Sequence, residues 1–506
     1  IAEVSINMDN ENNDGPMQYK SASQIEIRRK IEKDKGSKFY INDKEVRARD
    51  VQTLFADLST GAHSPSMISQ GRIGALVTAK PTDRRAILEE AAGISGIHVR
   101  RHESELRLNS AENNLKRADE LKRQQEKQLE NLKKQAQEAW DYFNKMGYPS
   151  SQNESWRFSN PSPWLLQSVV PIADKNDINR EEFAKYIIPD TIPILVLNDT
   201  VSILNTLPDG IQIMDMEKAE SENLMDVPLG SIADFQTSSF SAENMALFQN
   251  GILINISENT VLEKPLQLIH SIKRNKDSRI YPRVYVNVGA NSHIEILQTE
   301  AGDDDHHHFV NSVVEVIVYE NAQLKWTLMQ ERNIKTGQIS SFNIALKKNA
   351  TAIYNTFEFG GGFIRRDIHA HLQSTGGDFG INSLFVPRAK QHMDILSMVH
   401  HESASCSSRQ LVKGVMGGSS RGVFRGIAHV YNEANKTDAQ QTNHNLLLSP
   451  KARMNSIPQL EIYANDVKCS HGSTTGQIDD EAVFYLRSRG ISRREAMELL
   501  VQGFAN

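Results

Sequence analysis

The feature that most constrains this fold is a long series of short, strand-like segments between residues 281 and 463. Three of these segments are VYVNV at 284–288, VEVIV at 314–318 and FNIAL at 342–346. β-Branched and aromatic residues favour strands, and turn residues separate the segments. A small residue or Asn precedes Ala290, Ala322 and Ala350, so this turn signal recurs after 32 and then 28 residues. The sequence therefore predicts many strands of similar spacing.

Recurring strands joined by turns at a loose period are typical of a stacked β-solenoid, and a β-sandwich is the alternative interpretation of the same pattern. After the strands, residues 479–504 return to helical periodicity. In this segment Gly490 ends a first helix, and Ser492 with Glu495 has the form of a capping box for a second. We therefore predict a mainly β fold, a right-handed parallel β-helix (β-solenoid) core with C-terminal helices.

A long helix is predicted ahead of the strands, because residues 97–146 contain neither Gly nor Pro. Apolar or small residues recur in heptad steps at Leu108, Ala111, Leu115 and Ala118, and again at Leu129, Leu132, Ala136 and Ala139. This spacing gives a narrow apolar seam and favours a coiled-coil arm over a solvated single helix. The breaker cluster at 147–150 ends the pattern. Residues 1–96 mix strand-like and helix-like segments, which predicts an α/β fragment.

The overall composition favours a soluble protein over a membrane protein or a nucleic-acid-binding protein. The 506 residues are 39% hydrophobic with a net charge of -6, and the mean hydropathy is -0.48. We therefore expect a soluble, cytoplasmic protein of several domains with no general affinity for DNA, and no apolar run approaches the ~20 residues that cross a bilayer. Cys406 and Cys469 fit a reducing compartment without disulfides, and Cys406 is predicted as a small core residue. The chain opens on Ile1 without a signal peptide, which predicts a truncated start.

The N-terminal part carries a specific set of phrases. They are FYIN at 39–42, VRARDV at 46–51, ISQG at 68–71 and RRAILEEAAGI at 84–94. With these phrases, residues 1–139 resemble part of the head and arm of the bacterial SMC (condensin-type) chromosome ATPase family, in which the glutamine matching Gln70 reaches the nucleotide-bound magnesium. No G-x-x-x-x-G-K-[ST] phosphate loop occurs in the chain, and the strand-then-acid pattern at 194–199 lacks a following Glu. No bound ATP is therefore expected.

A second set of phrases follows and extends nearly to the C-terminus. They are ESWRFSNP at 154–161, EKPL at 263–266, CSSRQL at 406–411, RGVFRG at 421–426, KTDAQQTN at 436–443, NLLLS at 445–449 and PQLEIYANDVKCSHG at 458–472. In this order they make residues 141–506 similar to the SufB/SufD family of the SUF iron–sulfur cluster assembly system. The resemblance implies a non-enzymatic scaffold subunit with SufB and the ATPase SufC as partners. The join near 139–140 is then either a gene fusion or a joining of two unrelated sequences.

The segment that contains Cys469 and His471 carries metal-binding chemistry. If the segment is extended, positions i and i+2 share a face, so the thiol and the imidazole lie on one side. Both groups bind iron, but a cluster normally needs about four ligands, so another subunit would supply the remainder. The alternative is an inert buried cysteine beside a hydrogen-bonded histidine. The family resemblance implies that His471, with Cys469 beside it, contributes to a transient iron–sulfur cluster at the SufB–SufD interface.

Other polar groups are weaker candidates for a metal site. The acids and histidines at 303–308 are potential ligands of a divalent metal, but a solvated loop tip explains them more simply. His400 and His401 are adjacent on a strand and would point to opposite faces. His369 and His371 would share a face, but no third ligand lies nearby in sequence.

The leading hypothesis is therefore a cytoplasmic SUF scaffold subunit that is not an enzyme. The alternatives are an SMC-type chromosome-associated protein acting through the N-terminal fragment and a β-helix carbohydrate-active enzyme. Such an enzyme needs clustered carboxylates, or calcium with a basic residue, on one face, and no such cluster stands out along the strands. The predicted domains are an SMC-like head fragment (1–96), a coiled-coil arm fragment (97–139), an N-terminal SufB/SufD-type region (140–275), the β-helix core (276–463) and a C-terminal helical segment (464–506).

Overall fold

The computed structural model describes residues 2–12, 19–32, 36–58, 95–165, 180–198, 200–222 and 227–505, together with 78, 80–82, 84–85 and 224–225. The chain divides into two compact units, Ile1–Arg123 and Gln124–Asn506. The first unit carries an antiparallel sheet, and the second carries two long sheets of mostly parallel strands.

The first unit has the α/β character predicted for the N-terminal fragment. Its sheet contains β1 (Ala2–Asp9), β2 (Gln24–Glu32), β3 (Gly36–Ile41) and β4 (Lys44–Val46), followed by the helix α1 (Ala48–Asp57). Its apolar core consists of Ile25, Ile27 and Ile41 from the sheet with Val51 and Leu54 from α1. Asn42 and Asp43 adopt positive φ angles of 47° and 63° in the β3–β4 turn, which these residue types tolerate.

The second unit is built from two sheets between which the chain alternates. The first sheet contains β7 (Ile211–Asp215), β8 (Ile252–Ile256), β10 (Ser278–Ile280), β11 (Arg283–Val288), β13 (His308–Val318), β15 (Thr336–Leu346), β17 (Phe363–Leu372), β19 (His392–His401), β21 (Arg421–Val430) and β23 (Arg453–Ile462). The second sheet contains β5 (Ile192–Leu197), β6 (Thr200–Ile203), β9 (Leu266–Ser271), β12 (His293–Glu300), β14 (Gln323–Gln330), β16 (Thr351–Glu358), β18 (Asp378–Phe385), β20 (Ser407–Met416), β22 (Thr437–Leu447) and β24 (Val467–Gln477).

This architecture confirms the predicted parallel β-solenoid, which has about eight turns. Each strand from β11 onward pairs in parallel with a strand one turn away, so the alternative β-sandwich is wrong. Cα partners are 26 to 32 residues apart, as in Gly337 with Phe363 and Arg421 with Arg453. The solenoid continues through β24, so the helices of the predicted 464–506 segment begin only at Asp480.

The apolar core fills the space between the two sheets. Alternate residues of each strand face inward, so every turn adds side chains to one continuous core. Inward residues from successive turns include Val316, Ile344, Ile381 and Ile395. Burying one such side chain contributes roughly 2 kcal/mol, so the repetition of the layer stabilises the solenoid more than any single contact does.

Asparagines occupy one corner of four consecutive turns. Asn259, Asn291, Asn321 and Asn349 all have φ between 54° and 59°, a left-handed conformation that asparagine tolerates better than most residues. The amide of Asn321 donates to Asn291 Oδ1 over 3.1 Å, and the amide of Asn349 donates to Asn321 Oδ1 over 3.2 Å. This ladder explains the turn signal that the sequence repeats beside Ala290, Ala322 and Ala350.

Helices flank the solenoid and one of them is long. They are α2 (Ser95–Met146), α3 (Arg180–Phe183), α4 (Met216–Ser221), α5 (Ser239–Leu247), α6 (Asp480–Arg487) and α7 (Arg493–Ala505). Within the second unit, Ala139 of α2 is fully buried and packs with Met216 and Tyr285. The predicted capping box is confirmed, because Ser492 N donates to Glu495 Oε2 and Glu495 N donates to Ser492 Oγ.

His270 and His401 are among the buried histidines of the solenoid. His270 Nε2 lies 3.0 Å from Asn198 O, and His401 Nε2 lies 2.8 Å from Ser408 Oγ. Burial, with the nearby charge of Arg332 as the second cause, lowers the pKa of His270 to about 4. Burial also lowers the pKa of His401 to about 4. Both imidazoles are therefore neutral in the folded protein at neutral pH.

The Asn321→Val variant should lower the free energy of unfolding by roughly 2 kcal/mol, because a β-branched residue is strained at positive φ and the ladder bonds are lost. Asn321→Gly keeps the backbone conformation and loses only the bonds, so it should lose less. Chemical denaturation of both variants measures the difference. Equal losses would show that backbone strain contributes nothing at this corner.

Acid should destabilise the solenoid before most carboxylates titrate. The unfolded chain binds protons at His270 and His401 near pH 6.5, whereas the folded chain does so near pH 4. Stability is therefore complete above about 6.5 and falls towards pH 4, by at most about 1.4 kcal/mol per pH unit for each histidine. Thermal midpoints measured across this window should fall, and His401→Asn should flatten the slope. An unchanged slope in that variant would contradict the assignment.

Candidate functional site

The candidate site lies at the end of the solenoid formed by β23 and β24. Each is the last strand of its sheet and pairs on one side only, β23 with β21 and β24 with β22. At the opposite end, β6 and β7 finish the two sheets with antiparallel pairs. Among the described residues, β24 is exposed over most of its length. Its free edge presents backbone donors and acceptors to a partner.

Cys469 and His471 lie on β24 and share the face that points into the solenoid. Their register partners on β22 are Ala439 and Gln441, both buried. Two positions further on, Ser473 Oγ lies 2.7 Å from Ser456 Oγ of β23, which shows that this row faces the opposite sheet. The predicted common side for the thiol and the imidazole is thus confirmed. Cys469 is half-buried beside Val467, and His471 is exposed.

The layer beneath these two residues is polar rather than apolar. Gln441, Asn443 and Asn445 are all buried on the inward face of β22. Asn443 Nδ2 donates to Asn445 Oδ1 over 3.2 Å, and Ser473 Oγ donates to Asn443 Oδ1 over 3.3 Å. The side-chain oxygen Oε1 of Gln441, the register partner of His471, accepts no hydrogen bond from the part of the chain that the structure describes. The layer next to His471 therefore holds an unsatisfied buried acceptor.

The surroundings of the Cys469 thiol favour its neutral, protonated form. Burial raises its pKa, the charge of Asp438 adds to that effect, and the Ala439 backbone amide opposes it. A bound metal ion would displace the thiol proton, so binding at Cys469 would release a proton. A thiolate and an imidazole suit iron and other borderline metals. Among the described residues, no three His, Cys, Asp or Glu side chains are placed to hold a metal.

Comparison with known families decides the identity of the second unit. The family described as SUF system FeS cluster assembly, SufBD core domain, matches residues 270–504, and the SufBD protein N-terminal region matches residues 115–268. Together the two matches cover most of the chain. The chain belongs to the SufB/SufD family. The N-terminal match begins inside α2, well before the join that the sequence suggested near 139–140.

Individual relatives agree with the family assignment. Iron-sulfur cluster assembly protein SufD of Escherichia coli is 28% identical over 374 residues, which cover 73% of this chain and 87% of that protein. Protein ABCI7, chloroplastic, of Arabidopsis thaliana is 27% identical over 71% of this chain and 78% of that protein. No helix in the described ranges of this SufB/SufD family member is long and apolar enough to span a membrane.

The N-terminal unit of the SufB/SufD family chain has a different relative. Chromosome partition protein Smc of Rhodopseudomonas palustris is 50% identical over 138 residues, which are 27% of this chain and 12% of that protein. The chain thus spans about an eighth of the Smc protein it matches. Gln70 lies outside the described residues, as do 86–94 of the predicted SMC phrases.

The acid and histidine run at 303–308 is the predicted loop between two strands, with an exposed tip at 305–307 and buried groups on either side of it. Asp303 is buried and accepts a hydrogen bond from Arg332 Nη1 over 2.8 Å. His308 opens β13 with its side chain buried, and its Nε2 lies 2.8 Å from Asp304 Oδ1. These groups are bound to one another inside the solenoid wall of the SufB/SufD fold, and the exposed part of the run is confined to 305–307.

Buried carboxylates that a β-helix enzyme would use are paired with arginines in this family member. Glu358 contacts Arg366 Nε over 2.9 Å, and Asp394 contacts Arg365 Nη1 over 2.8 Å. Ser159 Oγ contacts both His392 and Asp394, which resembles a catalytic triad by composition. This serine is buried and its hydroxyl donates to the carboxylate, so the cluster anchors the 154–161 segment to the sheet.

Sequence reasoning missed a column of histidines on the outer face of the first sheet. His371, His400 and His429 are register partners on three consecutive turns, and Glu461 follows on β23. The rings of His371 and His400 stack at 4.5 Å with 4° between their planes. The prediction that His400 and His401 point to opposite faces is confirmed, because His401 binds Ser408 inside. The missed signal was a spacing of one solenoid turn, which becomes visible only once the register is known.

Proposed function

We propose that this chain is a non-catalytic scaffold subunit of the cytoplasmic SUF system that completes a nascent iron–sulfur cluster site with a second subunit. The observation that carries the proposal is the position of Cys469 and His471, which face the open end of the solenoid on its last strand. A cluster is the cargo of this site, and it needs about four ligands. Two from this chain leave the rest to a partner.

The partner in this proposal is SufB, which docks against the free edges of β23 and β24. An unpaired edge is the part of a sheet that another chain extends by main-chain hydrogen bonds. The edge of β24 runs directly beside Cys469 and His471, so a docked partner brings its own ligands within reach of both. The family match and the SufD relative support a SUF partner in general terms.

The two ligands have different parts in this proposal. His471 is exposed and offers an imidazole nitrogen without rearrangement of the strand. Cys469 is half-buried and holds its proton, so it joins the site as the metal displaces that proton.

The ATPase SufC is proposed to bind the C-terminal helices. The pair α6 and α7 exposes three large apolar side chains, Phe484, Tyr485 and Leu499, of which Phe484 is 72% exposed. Lys413 ties the end of α7 to the solenoid through a 3.4 Å hydrogen bond to Ala505 O. A tethered helix pair with exposed aromatic residues is a suitable docking element for a protein partner.

Replacing His471 with Ala should reduce cluster formation on the complex about tenfold and leave assembly with SufB intact, because the exposed imidazole contributes a ligand and little packing. Cys469→Ser should act in the same direction. Anaerobic reconstitution followed by visible absorbance measures the cluster, and size-exclusion chromatography measures assembly.

The matched control for this experiment is His444→Ala. His444 lies one turn away on the outer face of β22, where its Nδ1 contacts Thr474 Oγ1 over 2.7 Å. It should leave cluster yield unchanged. Equal cluster yields from the His471→Ala and His444→Ala chains would contradict the proposed role of His471.

Replacing Phe484 with Ser should lower the capture of SufC severalfold while circular dichroism stays unchanged, because the side chain is mostly exposed and supports little of the fold. Val261→Ser is the control, since Val261 is 66% exposed on another part of the same unit. Pull-down of purified SufC by each variant is the measurement. If both variants capture equal amounts of SufC, α6 is not part of the surface that binds SufC.

A further inference from the structure

A small acidic and aromatic cleft lies on the outer face of the solenoid beside its open end. The cleft has a volume of about 320 Å³ and is lined by Glu402, Tyr431, Asn432, Glu433 and Tyr463. We name it the corner cleft. Three of its residues directly follow β19, β21 and β23, so they occupy the same corner on consecutive turns. Backbone bonds keep this register, since Tyr431 N donates to His401 O and Tyr463 N donates to Val430 O.

The charge of the corner cleft is negative. Glu402 accepts from His371 Nδ1 over 2.7 Å, and the neighbouring Glu461 accepts from His429 Nδ1 over 2.8 Å. Glu433 forms no hydrogen bond or ion pair with its side chain in the part of the chain that the structure describes. Within that part, no lysine or arginine pairs with any of these three glutamates. Burial and then the charges of Glu402 and Glu461 raise the pKa of Tyr431.

The aromatic walls of the corner cleft are unusually open. Tyr431 is 40% exposed and Tyr463 is 59% exposed. The ring of Tyr431 packs 4.4 Å from His429, and that of Tyr463 packs 5.3 Å from it, so both rings are held in place from behind. Rigid tyrosine faces next to an unpaired carboxylate fit a cation, because the ring face attracts positive charge and the carboxylate pairs with it.

We propose that the corner cleft binds a basic side chain, an arginine by preference, of the subunit that docks at the open end. Arginine is favoured over lysine because its planar guanidinium stacks on a tyrosine face and forms two parallel bonds to one carboxylate. This inference rests on the proposed docking at β23 and β24. It specifies that the docking subunit is recognised through a basic side chain.

The position of the cleft matches that edge. Tyr463 and Glu461 belong to the last turn of the first sheet. The corner row of Glu402, Tyr431 and Tyr463 therefore ends at the open end of the solenoid. A partner strand added beside β23 would present its own side chains about 4.8 Å beyond them, which is the spacing of neighbouring strands. Oε2 of Glu461 contacts His429, which leaves Oε1 to accept a hydrogen bond from the partner's basic side chain.

Charge reversal at Glu433 tests the proposal in the complete chain. Glu433→Lys should weaken the affinity for purified SufB about tenfold and reduce the salt dependence of association, because an interface charge pair becomes a repulsion. Tyr463→Ala should weaken the affinity severalfold through loss of the stacking face. Biolayer interferometry at low and high ionic strength measures both effects.

Glu258→Lys is the matched control, because Glu258 is an exposed glutamate that follows β8 near the other end of the solenoid. An acidic substitution of one basic residue of SufB should restore the affinity of Glu433→Lys and thereby identify the bound side chain. If Glu433→Lys binds SufB like Glu258→Lys at both ionic strengths, the corner cleft does not select the partner, although the docking proposal stands. If the unaltered chain does not bind SufB at all, the docking proposal itself fails.

Discussion

Parallel, in-register pairing between turns is the constraint on which the rest of this protein depends. Each residue of a solenoid strand has its counterpart one turn away, at 26 to 32 residues, so like side chains stack into columns. The apolar core, the asparagine corner and the row from His371 to His429 are three such columns. A substitution in one turn therefore acts on two neighbours, which gives the fold its continuity without any single dominant contact.

A stack of turns has an end, and the proposed cluster site and the corner cleft both lie at the end formed by β23 and β24. The β23 and β24 edges lack a further turn, the buried layer below them is polar, and Cys469 with His471 faces into that opening. On the outside, the corner cleft ends at the same turn. A single docking event would thus satisfy the strand edges, complete the ligand set and neutralise the acidic cleft, which links partner choice to cluster assembly.

The long helix α2 shows how one sequence pattern can serve two kinds of packing. A seam of apolar residues at heptad spacing serves a coiled coil and a helix that packs on a domain equally well, because both present one narrow stripe. In the structure Leu108 and Leu115 are 60% and 67% exposed, whereas Ala139 is fully buried in the second unit. The match to the SufBD protein N-terminal region begins at residue 115 and the match to Smc covers 138 residues, so the join near 139–140 stays a prediction.

The strand-rich core, the C-terminal helices and the shared face of Cys469 and His471 could be predicted from the sequence, because strand alternation, capping and turn residues are local properties. The choice of a solenoid over a β-sandwich needed the parallel pairing between turns. The sequence also carried the family, since the phrases between 421 and 472 are specific in their order. Three outcomes became visible only in the folded chain: β24 is the terminal strand, Asp303 is bound to Arg332, and Glu402, Tyr431 and Tyr463 line one cleft. Each of these contacts joins residues that lie one solenoid turn apart. Because the number of residues in a turn varies from 26 to 32, the sequence alone does not specify which residues pair.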